Sequence, residues 1–337
     1  MSLCHDLPRV SLCSILPTPL EEAPRLSKAL GDVHLLVKRE DLTGLATGGN
    51  KIRNLEYIFG EVLEQGCDAV ITTAGVQSNM CRATAATTAR LGMGCVLLLR
   101  GTGEETEQGN LLLDRLLGAD VRFIPTKDPY DERVTSWLDD PRQELESQGR
   151  QPYILHLTGI TSTLATCAYV DGAQELATQF SSLGRVPEWL YVTVGSGITM
   201  AGLVLGLKHL NLPTRVVGVS ASSAADFLVS RVVDYANCAA ERLGLDTRIS
   251  ENEFDLLDEY VGPGYGKSYP DVIETIRLAA REEGLLLDPV YTGKCMTALR
   301  DQISRDHIVN GESVVFLHSG GVPNLFDQAE VVRRDIR

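Results

Sequence analysis

"CDAVITTAGVQSNMCRATAATTARLGMGCVLLLRGTGEETEQGNLLLDRLLGADVRFIPT", residues 67–126, alternates between two kinds of segment. "DAVITTA" (68–74) is short and rich in β-branched residues, which fit a pleated strand. "SNMCRATAATTARLG" (78–92) is rich in alanine and ends in a glycine suited to a helix C-cap. "GCVLLLR" reads as a strand again, "GNLLLDRLLGA" as a helix and "DVRFIP" as a third strand. Strands alternating with helices predict βαβ units and a parallel sheet covered on both faces.

A second series follows the same rule. "WLYVTVGSGITMAGLVLGLKHL" reads as strand, glycine-rich turn and helix, "RVVGVSAS" as a buried strand, and "SVVFLHSGG" as a strand ending in glycines. The expected architecture is α/β in two lobes with a cleft between them. Ligands of open α/β sheets lie beyond the carboxyl ends of strands, which points to the loops 75–79, 195–199 and 318–321.

The bulk composition narrows the function. The chain has 337 residues, a length for about two lobes. With 44% hydrophobic and 23% charged residues it can bury a large core. A net charge of −14 disfavours nucleic acid and anionic lipid as partners. No apolar run approaches the ~20 residues of a membrane span, and the N-terminus has no secretory pattern. Eight scattered cysteines without CxxC, and six histidines without HExxH, give no metal signature. The expectation is a cytoplasmic protein with reduced thiols and no metal.

Three motifs carry chemistry. In "TVGSGITMAG" (193–202), Gly195, Ser196 and Gly197 let N–H groups converge where a helix begins, and Thr199 adds a hydroxyl. It is neither GxGxxG with a following acid nor a Walker A sequence. One phosphate group, or a tight turn with no ligand, accounts for it equally. "GVQSNMCRA" (75–83) puts Ser78 and Asn79 at a helix start, where capping is the simpler reading and a substrate carboxylate the functional one. "TGGNKIRNLEY" (47–57) sets Lys51 behind two glycines and an asparagine. A lone lysine is usually a solvated charge. A phosphate cup without a Walker lysine, a lysine in a glycine turn and a Ser-Asn helix start together suggest a pyridoxal phosphate site.

With these residues the chain resembles the fold-type II pyridoxal-phosphate enzymes (tryptophan synthase β-like). More narrowly it resembles the family of 1-aminocyclopropane-1-carboxylate (ACC) deaminase and D-cysteine desulfhydrase, closer to the desulfhydrase. The resemblance spans nearly the whole length. It is carried by "LPTPLEEAPRLSKALG", "LLVKREDLTGLATGGNKIRNLEY", "TTAGVQSNMCRATAATTARLGM", "TVGSGITMAGL", "GPGYG", "LDPVYTGKCM" and "FLHSGGVPNLF". It implies two lobes, each with a mainly parallel twisted sheet flanked by helices. Residues 52–160 would form the small domain, and residues 1–51 with 161–337 the large, cofactor-binding one. Lys51 would hold the cofactor as a Schiff base and move protons at the substrate α-carbon. Ser78 would meet the substrate carboxylate and Asn79 the cofactor 3′-oxygen. Gly195, Ser196, Gly197, Ile198 and Thr199 would grip the phosphate. Tyr291 and Tyr265 would act on the substrate side, where their alternative role is as core aromatics. Thr292 and Ser319 would offer hydroxyls to the pyridine nitrogen.

The implied reaction is a lyase reaction, α,β-elimination of a small β-substituted amino acid, led by D-cysteine to pyruvate, sulfide and ammonia. ACC deaminase, a lyase or β-replacement enzyme for a specialised amino acid such as cysteate, and a non-catalytic mononucleotide-binding protein are the alternatives. A homodimer is expected. Three departures stand out. Thr292 replaces the glutamate of ACC deaminases. Met80 replaces the His or Gln of the two branches. The segment "LTGITSTLATCAYVDGA" (157–173) replaces a Gly-Gly-Ser stretch.

Overall fold

The computed structural model describes residues 2–128, 131–156 and 159–335. Its strands, in chain order, are β1 (Leu20–Glu22), β2 (His34–Lys38), β3 (Ala69–Gly75), β4 (Gly94–Arg100), β5 (Asp120–Ile124), β6 (Pro152–Leu155), β7 (Trp189–Val194), β8 (Arg215–Ser220), β9 (Asp255–Leu257) and β10 (Ser313–Leu317). They form two sheets, ordered β1-β2-β10-β7-β8-β9 and β5-β4-β3-β6. Every pairing is parallel except that of the short edge strand β1 with β2. This is the α/β architecture expected from the alternation of strand and helix, and the segments quoted from 67–126 form β3, β4, β5 and the helices between them.

The Asn79–Leu91 helix starts at Ser78, whose Oγ accepts from the Met80 and Cys81 N–H groups at 3.2 Å. It stops at Gly92 in the left-handed conformation. Capping therefore holds for Ser78, and it fixes the direction in which this turn meets the cleft.

The 157–173 segment, one of the three departures in sequence, is helical from Gly159 on. Leu157 and Thr158 lie outside the described residues. From Gly159 to Leu183 the chain is one helix of 25 residues, buried throughout Thr161–Val170. It packs closely on the Ile198–His209 helix. A Cβ on Gly202 would meet Thr166 O at 2.4 Å, and one on Gly206 would meet Ala173 Cβ at 2.5 Å. The domain boundaries expected at 51/52 and 160/161 each fall in the first turn of a helix.

Candidate active site

Lys51 sits in the first turn of the Asn50–Glu64 helix. Before it, Ala46, Thr47, Gly48 and Gly49 all have positive φ (39°, 70°, 65° and 108°). Such a run is costly for residues with a Cβ, and at Gly48 a Cβ would collide with Asp41 O at 2.0 Å. Hydrogen bonds hold the turn. Arg82 Nη1 donates to Ala46 O at 2.5 Å and Gly48 O at 3.0 Å, and Thr43 Oγ1 donates to Gly49 O at 3.0 Å. The Lys51 amine is half-buried and has no hydrogen-bond or ion-pair partner among the described residues. Desolvation lowers its pKa to about 8, so roughly a tenth of it is neutral at pH 7, far more than for an ordinary lysine.

The other motifs converge on this turn. Asn50 Nδ2 donates to Thr199 Oγ1 at 3.1 Å, which joins the lysine turn to the glycine-rich one. Gly195, Ser196 and Gly197 connect β7 to the Ile198–His209 helix, with Gly197 at its N-cap and φ of +96°. The first N–H groups of a helix lack intrahelical acceptors, and the dipole there favours an anion. Asn50 N also donates to Ser319 O at 3.0 Å, so the loop after β10 closes on the same place. Tyr291 approaches Gly195, whose built Cβ would lie 3.9 Å from its Cε1. Its hydroxyl is 2.5 Å from that of Tyr265. Tyr265 is 51% exposed, so it borders the cleft and is not a core aromatic. Asn79 Oδ1 accepts from Asn110 Nδ2 at 2.9 Å.

One expected residue is engaged elsewhere. The Thr292 hydroxyl donates to Asp288 Oδ1 at 2.7 Å and accepts from Asp288 N at 2.8 Å. It is fully buried, and its hydroxyl caps the start of its own helix. The Ser319 hydroxyl, by contrast, has no partner among the described residues. Sequence reasoning missed Arg82 and Asn110, and it placed Asn50 beside Lys51 without its bond to Thr199. Nothing in their spacing marks them, because each acts through a contact with a segment distant in the chain.

The residues fit a phosphate-bearing carbonyl cofactor: an unpartnered lysine of depressed pKa, and beside it a glycine turn with open N–H groups and room at Gly195. An α/β protein with two parallel sheets and this pairing of turns falls in the class of fold-type II pyridoxal-phosphate enzymes. The chain belongs to the pyridoxal-phosphate dependent enzyme family, whose model matches residues 13–320, and its cofactor is pyridoxal 5′-phosphate. It is 40% identical over 329 residues to a Pyrococcus abyssi protein provisionally named 1-aminocyclopropane-1-carboxylate deaminase, covering 98% of this chain and 96% of that one. It is 35% identical over 332 residues to the 1-aminocyclopropane-1-carboxylate deaminase of Rhizobium leguminosarum bv. viciae, covering 96% and 97%. A crystal structure of an ACC deaminase homologue matches with TM-score 0.88 at 34% identity over 98% of this chain and 97% of that chain. The processed form of threonine deaminase isoform 2 from Solanum lycopersicum matches with TM-score 0.66 at 18% identity, over 99% and 85%, a likeness of fold alone. These names belong to the deaminase side of the family, and the expected closeness to D-cysteine desulfhydrase has no counterpart in them. Among the described residues no cluster of metal-ligating side chains exists, and no helix is long and apolar enough to cross a membrane.

Proposed function

We propose that the chain is a lyase that removes the β-substituent of a small amino acid by α,β-elimination, with D-cysteine as the leading substrate and pyruvate, sulfide and ammonia as products. The reading includes a small lobe of residues 52–160, a large lobe of 1–51 with 161–337, and a homodimer. Its main support is the 3.1 Å bond from Asn50 to Thr199, which couples the lysine turn to the anion-receiving turn.

Pyridoxal phosphate, when bound, supplies a carbonyl for the substrate amine and a ring that withdraws electrons from the α-carbon. The residues do the rest. Gly195, Ser196, Gly197, Ile198 and Thr199 hold the phosphate, and Asn79 holds the ring oxygen. Ser78 and the helix start behind it receive the substrate carboxylate. Lys51 takes the α-proton, as a buried amine with a pKa near 8 can. Tyr291 and Tyr265, hydroxyl to hydroxyl, pass a proton toward the leaving group. Ser319, with Thr292 engaged by Asp288, is the hydroxyl left for the ring nitrogen.

A neutral hydroxyl there makes the ring a weaker electron sink than a carboxylate would, which favours expulsion of a good leaving group over cyclopropane opening. The second reading is ACC deaminase, favoured by the names of the relatives. Lyase or replacement chemistry on a specialised amino acid such as cysteate is the third. A pyruvate-release screen with D- and L-cysteine, β-chloroalanine, cysteate, D-serine and ACC separates them, and an added thiol reports replacement. Borohydride reduction should shift the mass of the peptide bearing Lys51. Lys51→Ala should fold, retain cofactor loosely and release no pyruvate; turnover near the wild-type rate would remove Lys51 from the mechanism.

A further inference from the structure

Lys294 is fully buried, and it stands in the first turn of the Thr292–Ser304 helix. Both facts work against an ammonium group. Burial strips it of water, and the helix dipole at that end favours anions. Burial lowers its pKa to about 8, against the opposing pull of Asp288. What the ammonium gains is a full set of acceptors. Its Nζ donates to Ala221 O at 3.3 Å, Val261 O at 2.8 Å and Gly264 O at 3.1 Å. All three N–H donors of the group thus meet a backbone carbonyl.

Two of these carbonyls belong to the chain leading to Tyr265. From Gly262 to Ser268 that chain forms neither strand nor helix. Gly262, Gly264 and Gly266 have φ of 64°, 129° and 72°. Among the described residues its only backbone–backbone hydrogen bond runs from Lys267 N to Gly264 O at 3.3 Å. A Cβ on Gly264 or Gly266 would meet nothing within 4 Å, so packing does not hold this turn either. Two side chains grip it by its carbonyls, Lys294 before Tyr265 and Gln328 after it, where Gln328 Nε2 donates to Gly266 O at 2.8 Å. Tyr291 is fixed from the same helix start as Lys294, since its N–H donates to Asp288 Oδ2 at 3.0 Å. One end of one helix therefore sets both tyrosines, whose hydroxyls lie 2.5 Å apart.

We infer that Lys294 is a positioning residue, an internal cation that holds the Tyr265 loop so that the paired phenols face the leaving group of the substrate. The inference rests on the elimination reading, in which that pair passes a proton toward the leaving group, and deepens it. Without the ammonium the three carbonyls lose their donor, and water reaches the loop's own carbonyls only when the loop lifts. Lifting the loop takes the Tyr265 hydroxyl away from Tyr291. Sulfide departing from D-cysteine draws on the delivered proton, whereas chloride departing from β-chloro-D-alanine needs none.

The test uses the holoenzyme with Lys294→Met, Lys294→Gln, Tyr265→Phe and the Lys294→Met/Tyr265→Phe pair. Lysyl endopeptidase reads the loop without turnover. Lys267 lies exposed in the loop, and Lys127, exposed in a distant one, is the internal reference. Lys294→Met should speed the cut after Lys267 about 10-fold relative to the cut after Lys127, the scale of one charge-assisted hydrogen bond lost. Lys294→Gln keeps two N–H donors and should fall between; it carries the comparison if the Met variant does not fold. Pyruvate release reads the consequence. Lys294→Met should lower kcat on D-cysteine about 10-fold, with KM and the rate on β-chloro-D-alanine held within about threefold. In the Tyr265→Phe background the same change should cost less than about twofold, because the group it positions is already gone. An unchanged cut after Lys267, faster cutting at both sites alike, or equal losses on the two substrates would each overturn the inference, since the ammonium would then be idle or would serve the whole fold. A full loss added to that of Tyr265→Phe, or a Tyr265→Phe variant at the wild-type rate, would overturn it as well. Wild-type pyruvate release left intact in Lys294→Met would overturn it and leave elimination standing. No pyruvate from wild type would overturn the elimination reading, and the cut after Lys267 would still decide whether Lys294 holds the loop.

Discussion

A methyl group on Gly195 would touch only Tyr291, 3.9 Å away, and Gly195 has no positive φ. A side chain there should leave the fold intact and enter the space meant for the phosphate. Gly195→Asp should weaken cofactor binding by at least ~2 kcal/mol, the cost of an unmatched charge. Titration of the cofactor-free protein checks this, and unchanged affinity would put the phosphate elsewhere. Gly197 is a poorer probe, because its φ of +96° and Val232 Cγ2 at 3.1 Å would add strain to any charge effect. A second residue-scale test concerns Asp114. It is sealed in the core, and among the described residues neither carboxylate oxygen has a hydrogen-bond partner. Desolvation raises its pKa to about 8, against the opposing pull of Arg82. The folded state thus holds a proton that the unfolded chain releases near pH 4. Stability should fall as pH rises from about 4 through about 8. Asp114→Asn should remove that slope, raising Tm at pH 9 more than at pH 5. A parallel shift at both values would mean that Asp114 is ionised in the folded protein.

Among the elements, the Thr292–Ser304 helix shows how a site residue can be claimed by its own secondary structure. Asp288 accepts from the Val290, Tyr291 and Thr292 N–H groups at 2.9, 3.0 and 2.9 Å, as well as from the Thr292 hydroxyl. Thr292→Val keeps the volume and strips a donor from this buried carboxylate. It should cost about 1–3 kcal/mol, seen as a lower Tm with cofactor affinity little changed. Loss of cofactor affinity at unchanged Tm would return Thr292 to the ring. The sequence could not reveal this competition. It shows a threonine after a tyrosine, but not that an aspartate four residues earlier bends back onto it. The strands and helices of 67–126 were legible because each has one face or one run of uniform character. The Gly159–Leu183 helix was not, since its Thr161–Val170 half is buried on every side and lacks a polar stripe, and polar residues recur at helical spacing only from Asp171 on. The lysine turn and the phosphate turn were each legible alone. Their meeting through Asn50 and Thr199, 149 positions apart, was not.

At the scale of the whole molecule, a buried ionic network fastens the lysine-bearing helix to the rest. Arg53 meets Glu40 at 2.7 Å and Glu175 at 3.1 Å, Lys38 pairs with Glu175, and Tyr169 donates to Glu40 at 2.7 Å. The network joins β2, the Asn50–Glu64 helix and the Gly159–Leu183 helix. Burial alone would raise the Glu40 pKa, but Arg53 overrides it and holds the carboxyl at about 2, below its ordinary 4.5. The stabilisation is full above pH ~4.5 and is lost as pH falls through about 2. Glu40→Gln should lower stability at neutral pH by about 1–3 kcal/mol, since it leaves Arg53 and Lys38 to share the one carboxylate of Glu175. It should also flatten the acid limb of a denaturant-monitored pH titration; an unchanged limb would place the acid-sensitive group elsewhere. The order of strands has a consequence for biosynthesis. β10, near the end of the chain, lies between β2 and β7 in the larger sheet. On the ribosome, residues 69–155 can pair all four strands of the smaller sheet while the larger one still lacks its middle. The loop that closes on Asn50 follows β10, so the cofactor cleft cannot close until β10 has been made. The vitamin-derived group therefore cannot template the early chain and must enter a polypeptide in which every strand of both sheets has already been made.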